Sequence, residues 1–164
     1  IRQKNLLFTG TIKSNIKFGK PHATHDEVEN SAKIAQAYDF ITTKEKGFDE
    51  PISEGGSNVS GGQKQRLSIA RALVRKSEIY IFDDSFSALD FKTDAILRKA
   101  LKKETKDAIV LIVAQRIGSI MDADKIIVLD EGKVVGVGKH KELLNTCNVY
   151  HEIALSQLTE EELA

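Results

Sequence analysis

Ser60-Gly-Gly-Gln-Lys-Gln-Arg66, followed by Ile79-Tyr-Ile-Phe-Asp-Asp84, is the stretch on which the reading of this chain turns. Leu67, Ala70, Leu73 and Val74 recur at helical spacing, and Lys64, Arg71 and Arg75 fall elsewhere, so a helix is predicted from Gly62 to about Val74. Ser60 stands where a helix cap belongs. The first turn of a helix leaves N–H groups without acceptors, and the macrodipole adds partial positive charge there. With no side chain at Gly61 or Gly62, an anion can approach that backbone, and the Ser60 hydroxyl is a further donor. An ordinary cap followed by a flexible glycine pair reads equally well from these residues alone. The second segment is four apolar residues ending in two carboxylates. Acidic groups at the carboxyl end of a buried parallel strand sit where layered α/β sheets bind ligands. One carboxylate there can hold Mg²⁺ beside a nucleotide, and a second can orient an attacking water.

Around this pair the chain alternates helical and apolar text. Thr24-x-x-Glu27 is a capping box opening a helix to about Ala37, with Val28, Ala32 and Ala35 on one side. Residues 44–58 carry Gly47, Pro51, Gly55 and Gly56 and read as loop. Three short β-branched runs, at 79–82, 109–113 and 126–129, are continuous rather than alternating, as in strands covered on both faces. A helix from about Thr93 to Lys103, with Ile96, Leu97, Ala100 and Leu101 buried, separates the first two. Asp130-Glu-Gly-Lys133 predicts a turn into a hairpin strand at 134–137. Segments 141–145 and 151–158 are expected to be terminal helices, ahead of the acidic Glu160-Glu-Glu162. The class is therefore α/β in layers.

Composition narrows the function classes. The chain has 164 residues, 24 Lys+Arg and 24 Asp+Glu, so no global basic footprint invites nucleic acid. The single cysteine, Cys147, excludes an internal disulfide framework. No apolar run approaches the roughly 20 residues of a membrane span. His22, His25, His140 and His151 lie in no ligand cluster and read as surface or structural residues. The opening Ile1-Arg-Gln-Lys4 has neither Met nor signal-peptide pattern, and a fragment is expected.

The two segments together resemble the ABC transporter ATP-binding domain. Val59-Ser-Gly-Gly-Gln63 is similar to the family's signature motif, 79–83 to Walker B, and Ser87-Ala-Leu-Asp90 to the D-loop. Gln3, ahead of Asn5-Leu-Leu-Phe-Thr-Gly-Thr-Ile-Lys-Ser-Asn-Ile16, resembles the Q-loop of exporters. Gln115, in Val113-Ala-Gln-Arg116, takes the H-loop position. The resemblance covers nearly the whole chain. It implies a P-loop NTPase-like ABC ATPase fold, truncated to a helical signature subdomain and part of a mainly parallel sheet ending in a hairpin. The divisions expected are a Q-loop region (1–20), a helical subdomain with the signature helix (21–75), a Walker B to H-loop core (76–145) and a C-terminal helical tail (146–164).

The resemblance implies ATP and Mg²⁺ as cofactors, Asp84 and Gln115 as catalytic residues, and Gln3, Ser60, Gly61, Gly62, Gln63 and Asp90 as nucleotide contacts. Asp83 and Gln3 would meet the metal. The partners implied are a second nucleotide-binding domain and transmembrane domains, with no nucleic acid, on the cytoplasmic side of a membrane. Phe8, Ile12 and Ile16 either dock on those transmembrane domains or pack in the core. Glu54 is a weaker candidate for that coupling.

Three departures qualify what the family pattern implies. No G-x-x-x-x-G-K-S/T phosphate loop occurs, so the chain alone is expected to bind ATP weakly and to be inactive by itself. Asp84 stands where the family usually has Glu, one methylene longer, and Gln115 where it has His. Two defects in one half-site, beside an intact signature, resemble the degenerate-site chain of a heterodimeric exporter. A soluble ABC ATPase without transport and a non-catalytic, signature-donating subunit are the alternatives. An incompletely covered, self-associating sheet is also expected.

Overall fold

The computed structural model describes residues 1 and 6–158, which form two compact units, 1–113 and 114–164. Gln3 and the Glu160–Glu162 stretch lie outside the described residues.

In the first unit, a two-residue strand β1 (Gly10–Thr11) leads into helix α1 (Ile12–Lys17). Helices α2 (His25–Ile34) and α3 (Tyr38–Thr42) follow, then β2 (Pro51–Ile52), which pairs antiparallel with β1. Helix α4 (Gly61–Leu73), strand β3 (Ile79–Asp83), helix α5 (Phe91–Glu104) and strand β4 (Ile109–Val113) complete it. Strands β3 and β4 are parallel, with Ile79 opposite Ile109 and Asp83 opposite Val113. The carbonyl of Ile1 accepts from the Asp83 N–H on the other edge of β3, at 3.0 Å.

The local reasons for these elements are visible. Thr24 caps α2 in the box its spacing predicts, accepting from the Glu27 N–H while Glu27 accepts from the Thr24 N–H. Thr11 and Ser14 do the same for α1, a helix the sequence reading did not resolve. Val28, Ala32 and Ala35 are fully buried, as their spacing predicts, and α4 buries Leu67, Ile69, Ala70 and Leu73 against α1 and α2. Burying the three large side chains contributes about 1.5–3 kcal/mol each. Ile12 and Ile16 are completely buried in this core, so of the two roles open to them packing is the one they fill; Phe8 is exposed.

Two expectations need correction. Ile96 is exposed, because the inward stripe of α5 runs through Asp94, Leu97 and Leu101, and Ile96 falls off that line. Continuous apolar text in the strands predicted cover on both faces. Among the described residues, β3 buries Tyr80 and Phe82, while Ile79 and Ile81 stay open beside Ile109, Leu111 and Val113 of β4. An uncovered apolar sheet face is what was expected of a partial sheet.

The second unit holds the antiparallel hairpin of β5 (Ile126–Asp130) and β6 (Lys133–Gly138), then helices α6 (His140–Thr146) and α7 (Asn148–Leu155). Glu131 and Gly132 take positive φ at the turn. Ile117, Ile126, Val128, Leu143, Cys147, Tyr150 and Ala154 form its core. His140 is buried there, its Nδ1 2.8 Å from the Tyr150 hydroxyl, which is the structural role expected of it; burial raises the Tyr150 hydroxyl above its usual pKa.

Candidate functional site

The N-terminus of α4 is closed by a reciprocal cap. Ser60 Oγ accepts from the Gln63 N–H at 3.3 Å, and Gln63 Oε1 accepts from the Ser60 N–H at 3.1 Å. As an acceptor in the cap, Ser60 Oγ keeps its own O–H for donation. Gly61 and Gly62 occupy the first turn, whose amides have no intrahelical acceptor. The two glycines differ in what they meet. A Cβ on Gly62 would sit 3.1 Å from the Ala88 carbonyl oxygen, so packing accounts for that glycine. A Cβ on Gly61 would find only the Ala88 Cβ, at 4.0 Å, and Gly61 is exposed. Internal packing does not require its missing side chain, whereas an anion approaching from outside would.

In the same unit, β3 delivers Asp83 and Asp84 at its carboxyl end. Asp83 is exposed and Asp84 half-buried. Asp84 adopts φ +46°, a left-handed conformation uncommon outside glycine, and donates its N–H to the Val113 carbonyl at 2.9 Å. Such backbone conformations persist where surrounding contacts enforce them. The Asp84 carbonyl accepts from Ser87 Oγ at 3.1 Å and from Gln65 Nε2 at 3.4 Å. Among the described residues, no group of three or more His, Cys, Asp or Glu could enclose a metal ion. A strand-end carboxylate such as that of Asp83 suits Mg²⁺ that arrives with nucleotide phosphates, the ion commonly using one or two carboxylates. The donors at Ser60–Gly62 likewise suit a phosphate, so the residues present fit Mg-nucleotide.

Asp90 caps α5, accepting from the Thr93 N–H at 2.9 Å and the Thr93 hydroxyl at 2.7 Å. The Thr93 amide, then its hydroxyl, hold the Asp90 carboxyl below its usual range. Gln115 is exposed in the second unit, its carbonyl accepting from Gln157 Nε2 at 2.8 Å. The described structure thus brings Ser60, Gly61, Gly62, Gln63, Asp83, Asp84 and Asp90 into one unit, and Gln115 belongs to the other.

Sequence reasoning missed three polar residues that hold this arrangement. Gln65 is 1% exposed and bridges α4 to the turn after Asp84. Arg71 donates to the carbonyls of Leu6 and Asn15 and to Asn15 Oδ1, and its guanidinium lies 5.1 Å from the Phe8 ring centroid. Asn15, 2% exposed, spends its amide on the Phe8 backbone, Thr11 and Arg71. Polar residues at buried helical positions were the available signal. Arg66 donates to the Gln36 carbonyl at 2.8 Å; burial lowers its pKa, against the opposing pull of Asp90 and Asp39.

Comparison with known proteins gives the family. The family model described as ABC transporter matches residues 1–87. A putative multidrug export ATP-binding/permease protein of Staphylococcus aureus is 44% identical over 153 residues, covering 93% of this chain and 26% of that protein. An uncharacterized ABC transporter ATP-binding protein of Mycobacterium bovis is 42% identical over 160 residues, 96% of this chain and 27% of that one. Among solved structures, a bacterial Atm1-family ABC exporter with ATP bound superposes with a TM-score of 0.92 at 36% identity, over 97% of this chain and 28% of that one. The chain therefore spans about a quarter of the length of these relatives.

Proposed function

This chain belongs to the ABC transporter family, and from that premise we propose that it is part of the ATP-binding motor domain of an ABC exporter. In this reading, ATP-driven dimerisation with a second nucleotide-binding domain powers transport through transmembrane domains, from the cytoplasmic side. The observation that carries it is the open, glycine-led N-terminus of α4, in one unit with the strand-end carboxylates. Among the described residues no helix is long and apolar enough to cross a membrane, so the transmembrane domains would lie in other sequence. Phe8 and Phe18, exposed and with ring centroids 4.6 Å apart, are the surface we assign to docking there.

The roles proposed in this reading are as follows. Ser60, Gly61 and Gly62 would donate to the terminal phosphate of a nucleotide held by the partner domain. Preorganised donors of this kind stabilise charge that develops during phosphoryl transfer. Asp83, with Gln3, would hold Mg²⁺, which supplies charge neutralisation when bound. Asp84 would orient the attacking water and Gln115 would donate to the transferred phosphoryl group. The Gln63 side chain closes the α4 cap and Asp90 closes that of α5, so both shape the site through backbone position. The proposed divisions are 1–20, 21–75, 76–145 and 146–164.

Asp84 favours a degenerate site, hence a heterodimeric exporter in which this chain's signature completes the partner's working site. Asp reaches one methylene less far than Glu, and a displacement of about 1 Å costs roughly a hundredfold. The test is ATP turnover by the full-length transporter, alone and with its partner chain. Asp84→Glu combined with Gln115→His is expected to raise turnover of the chain paired with itself at least tenfold. Fast turnover by the unmutated homodimer refutes the degenerate site. Loss of partner-site turnover is expected for Gly61→Gln, which fills the open approach.

A further inference from the structure

We propose that Gln65 is a positioning residue for ATP hydrolysis, a buried strut that makes the signature end of α4 and the catalytic turn after Asp84 move as one body. The inference rests on the proposed function for its consequence and on the structure for its geometry.

The Gln65 side chain is almost wholly buried, and both ends of its amide reach the same turn. Oε1 accepts from the Ala88 N–H at 3.1 Å, and Nε2 donates to the Asp84 carbonyl at 3.4 Å. Each partner is a backbone group, so the amide fixes the path of the chain between residues 84 and 88. That path includes Asp84 in its left-handed conformation, and rotation of the peptide after Asp84 would re-aim its carboxylate. A second point of contact lies one turn earlier on α4, where Gly62 rests against the Ala88 carbonyl so closely that a methyl group would be crowded at 3.1 Å. Two contacts on neighbouring turns of one helix resist both sliding and rocking of the turn.

The consequence concerns two sites. In the proposed dimer, Ser60–Gly62 serve the partner's nucleotide and Asp84 serves this chain's own. A rigid link between them transmits engagement at one composite site to the water-orienting carboxylate of the other. Packing alone would be met by an apolar side chain of similar length; the amide adds directional hold on the turn.

The experiment uses the full-length transporter paired with itself and carrying Asp84→Glu with Gln115→His, so that turnover reads this chain's own site, and compares it with the same protein bearing Gln65→Met, which keeps the length and removes both hydrogen bonds. Hydrogen exchange reports the Ala88 amide, and steady-state hydrolysis reports kcat and KM. The Ala88 amide is expected to exchange about tenfold faster, and kcat to fall about tenfold with KM for ATP within about twofold. Val28→Ala, a core change in α2 that lowers Tm without touching the turn, is the control and is expected to keep kcat. Should Gln65→Met not fold, Gln65→Asn, one methylene shorter, keeps a polar amide there but cannot span to both backbone groups; it is expected to speed Ala88 exchange and lower kcat in the same direction. An unchanged Ala88 exchange rate in Gln65→Met overturns the strut. An unchanged kcat, or an equal fall in Val28→Ala, overturns the positioning role. A transporter that hydrolyses no ATP even with its partner chain overturns the proposed function, and the Ala88 amide then still decides whether the strut exists.

Discussion

Arg71 should be among the most costly residues to replace in the first unit, and the structure allows the cost to be worked. Its guanidinium donates to the Asn15 carbonyl at 2.9 Å, the Leu6 carbonyl at 2.9 Å and Asn15 Oδ1 at 2.8 Å. The Asn15 carbonyl belongs to the last turn of α1, where no further helical N–H follows to meet it, so Arg71 acts as a C-cap from another helix. Replacement by Met keeps the stem packing and removes every donor. The Asn15 carbonyl, in a buried residue, then costs about 1–2 kcal/mol. Oδ1 keeps the Phe8 N–H and the Leu6 carbonyl can turn to water, so together they add about 1 kcal/mol. Loss of the contacts with the Phe8 and Phe18 rings adds about 0.5–1 kcal/mol. Arg71→Met is therefore expected to cost about 2.5–4 kcal/mol, a large share of a typical 5–15 kcal/mol. Arg71→Lys, without the planar fork, should recover about half. The assay is urea unfolding followed by far-UV circular dichroism, since the chain has no Trp. Because the three acceptors are neutral oxygens, about 0.5 M salt should leave the difference unchanged. A cost below about 1 kcal/mol, or Lys no better than Met, would refute the capping account.

Gly19→Ala should destabilise by about 3 kcal/mol or more in the same unfolding assay. Its Cβ would lie 1.9 Å from the Arg71 carbonyl oxygen, and that obstacle is backbone; a cost under about 1 kcal/mol refutes the close approach. Asp90 has a depressed pKa in the folded chain, held first by the Thr93 amide. Its capping contribution is therefore complete above the unfolded carboxyl pKa of about 3.9 and lost as pH falls through the lower folded value. Asp90→Asn, whose amide oxygen still caps, should flatten that acid limb in urea midpoints taken between about pH 6 and pH 2, and an unchanged slope tells against it. Ile81 and Leu111 face each other across the parallel pair and are each 52% exposed. Ile81→Lys with Leu111→Lys should shift the isolated chain toward monomer in sedimentation analysis, and an unchanged distribution shows that this face does not drive association.

Much of the fold was legible because its signals are local. The box Thr24-x-x-Glu27 and the cap residue Ser60 mark two helix starts, and the apolar runs at 79–82 and 109–113 become the parallel pair; that Gln63 closes the second cap in return appears only in the structure. What stayed hidden depends on partners distant in sequence. Nothing near Arg71 announces that its acceptors are Leu6 and Asn15, and nothing near Gly19 announces the Arg71 carbonyl. Cover on the second face of the strands was misread for the same reason: a continuous apolar run states what a strand can bury, and the covering element is specified elsewhere.

The same distinction separates structural from functional motif residues. Gln63 and Asp90 look like ligand residues by resemblance, yet each has a folding reason for its place. Ser60 with Gln63, and Asp90 with Thr93, are three apart because that is how a side chain reaches back to a helix start. Gly62 has its reason too, in the Ala88 carbonyl. Gly61 and Asp84 remain. A glycine with open space where its side chain would be costs backbone entropy without a packing return, and a half-buried aspartate at φ +46° carries strain that Gly would not. Local folding rules leave these two residues unexplained, and the roles proposed for them, a phosphate met at one and a water oriented at the other, would account for both.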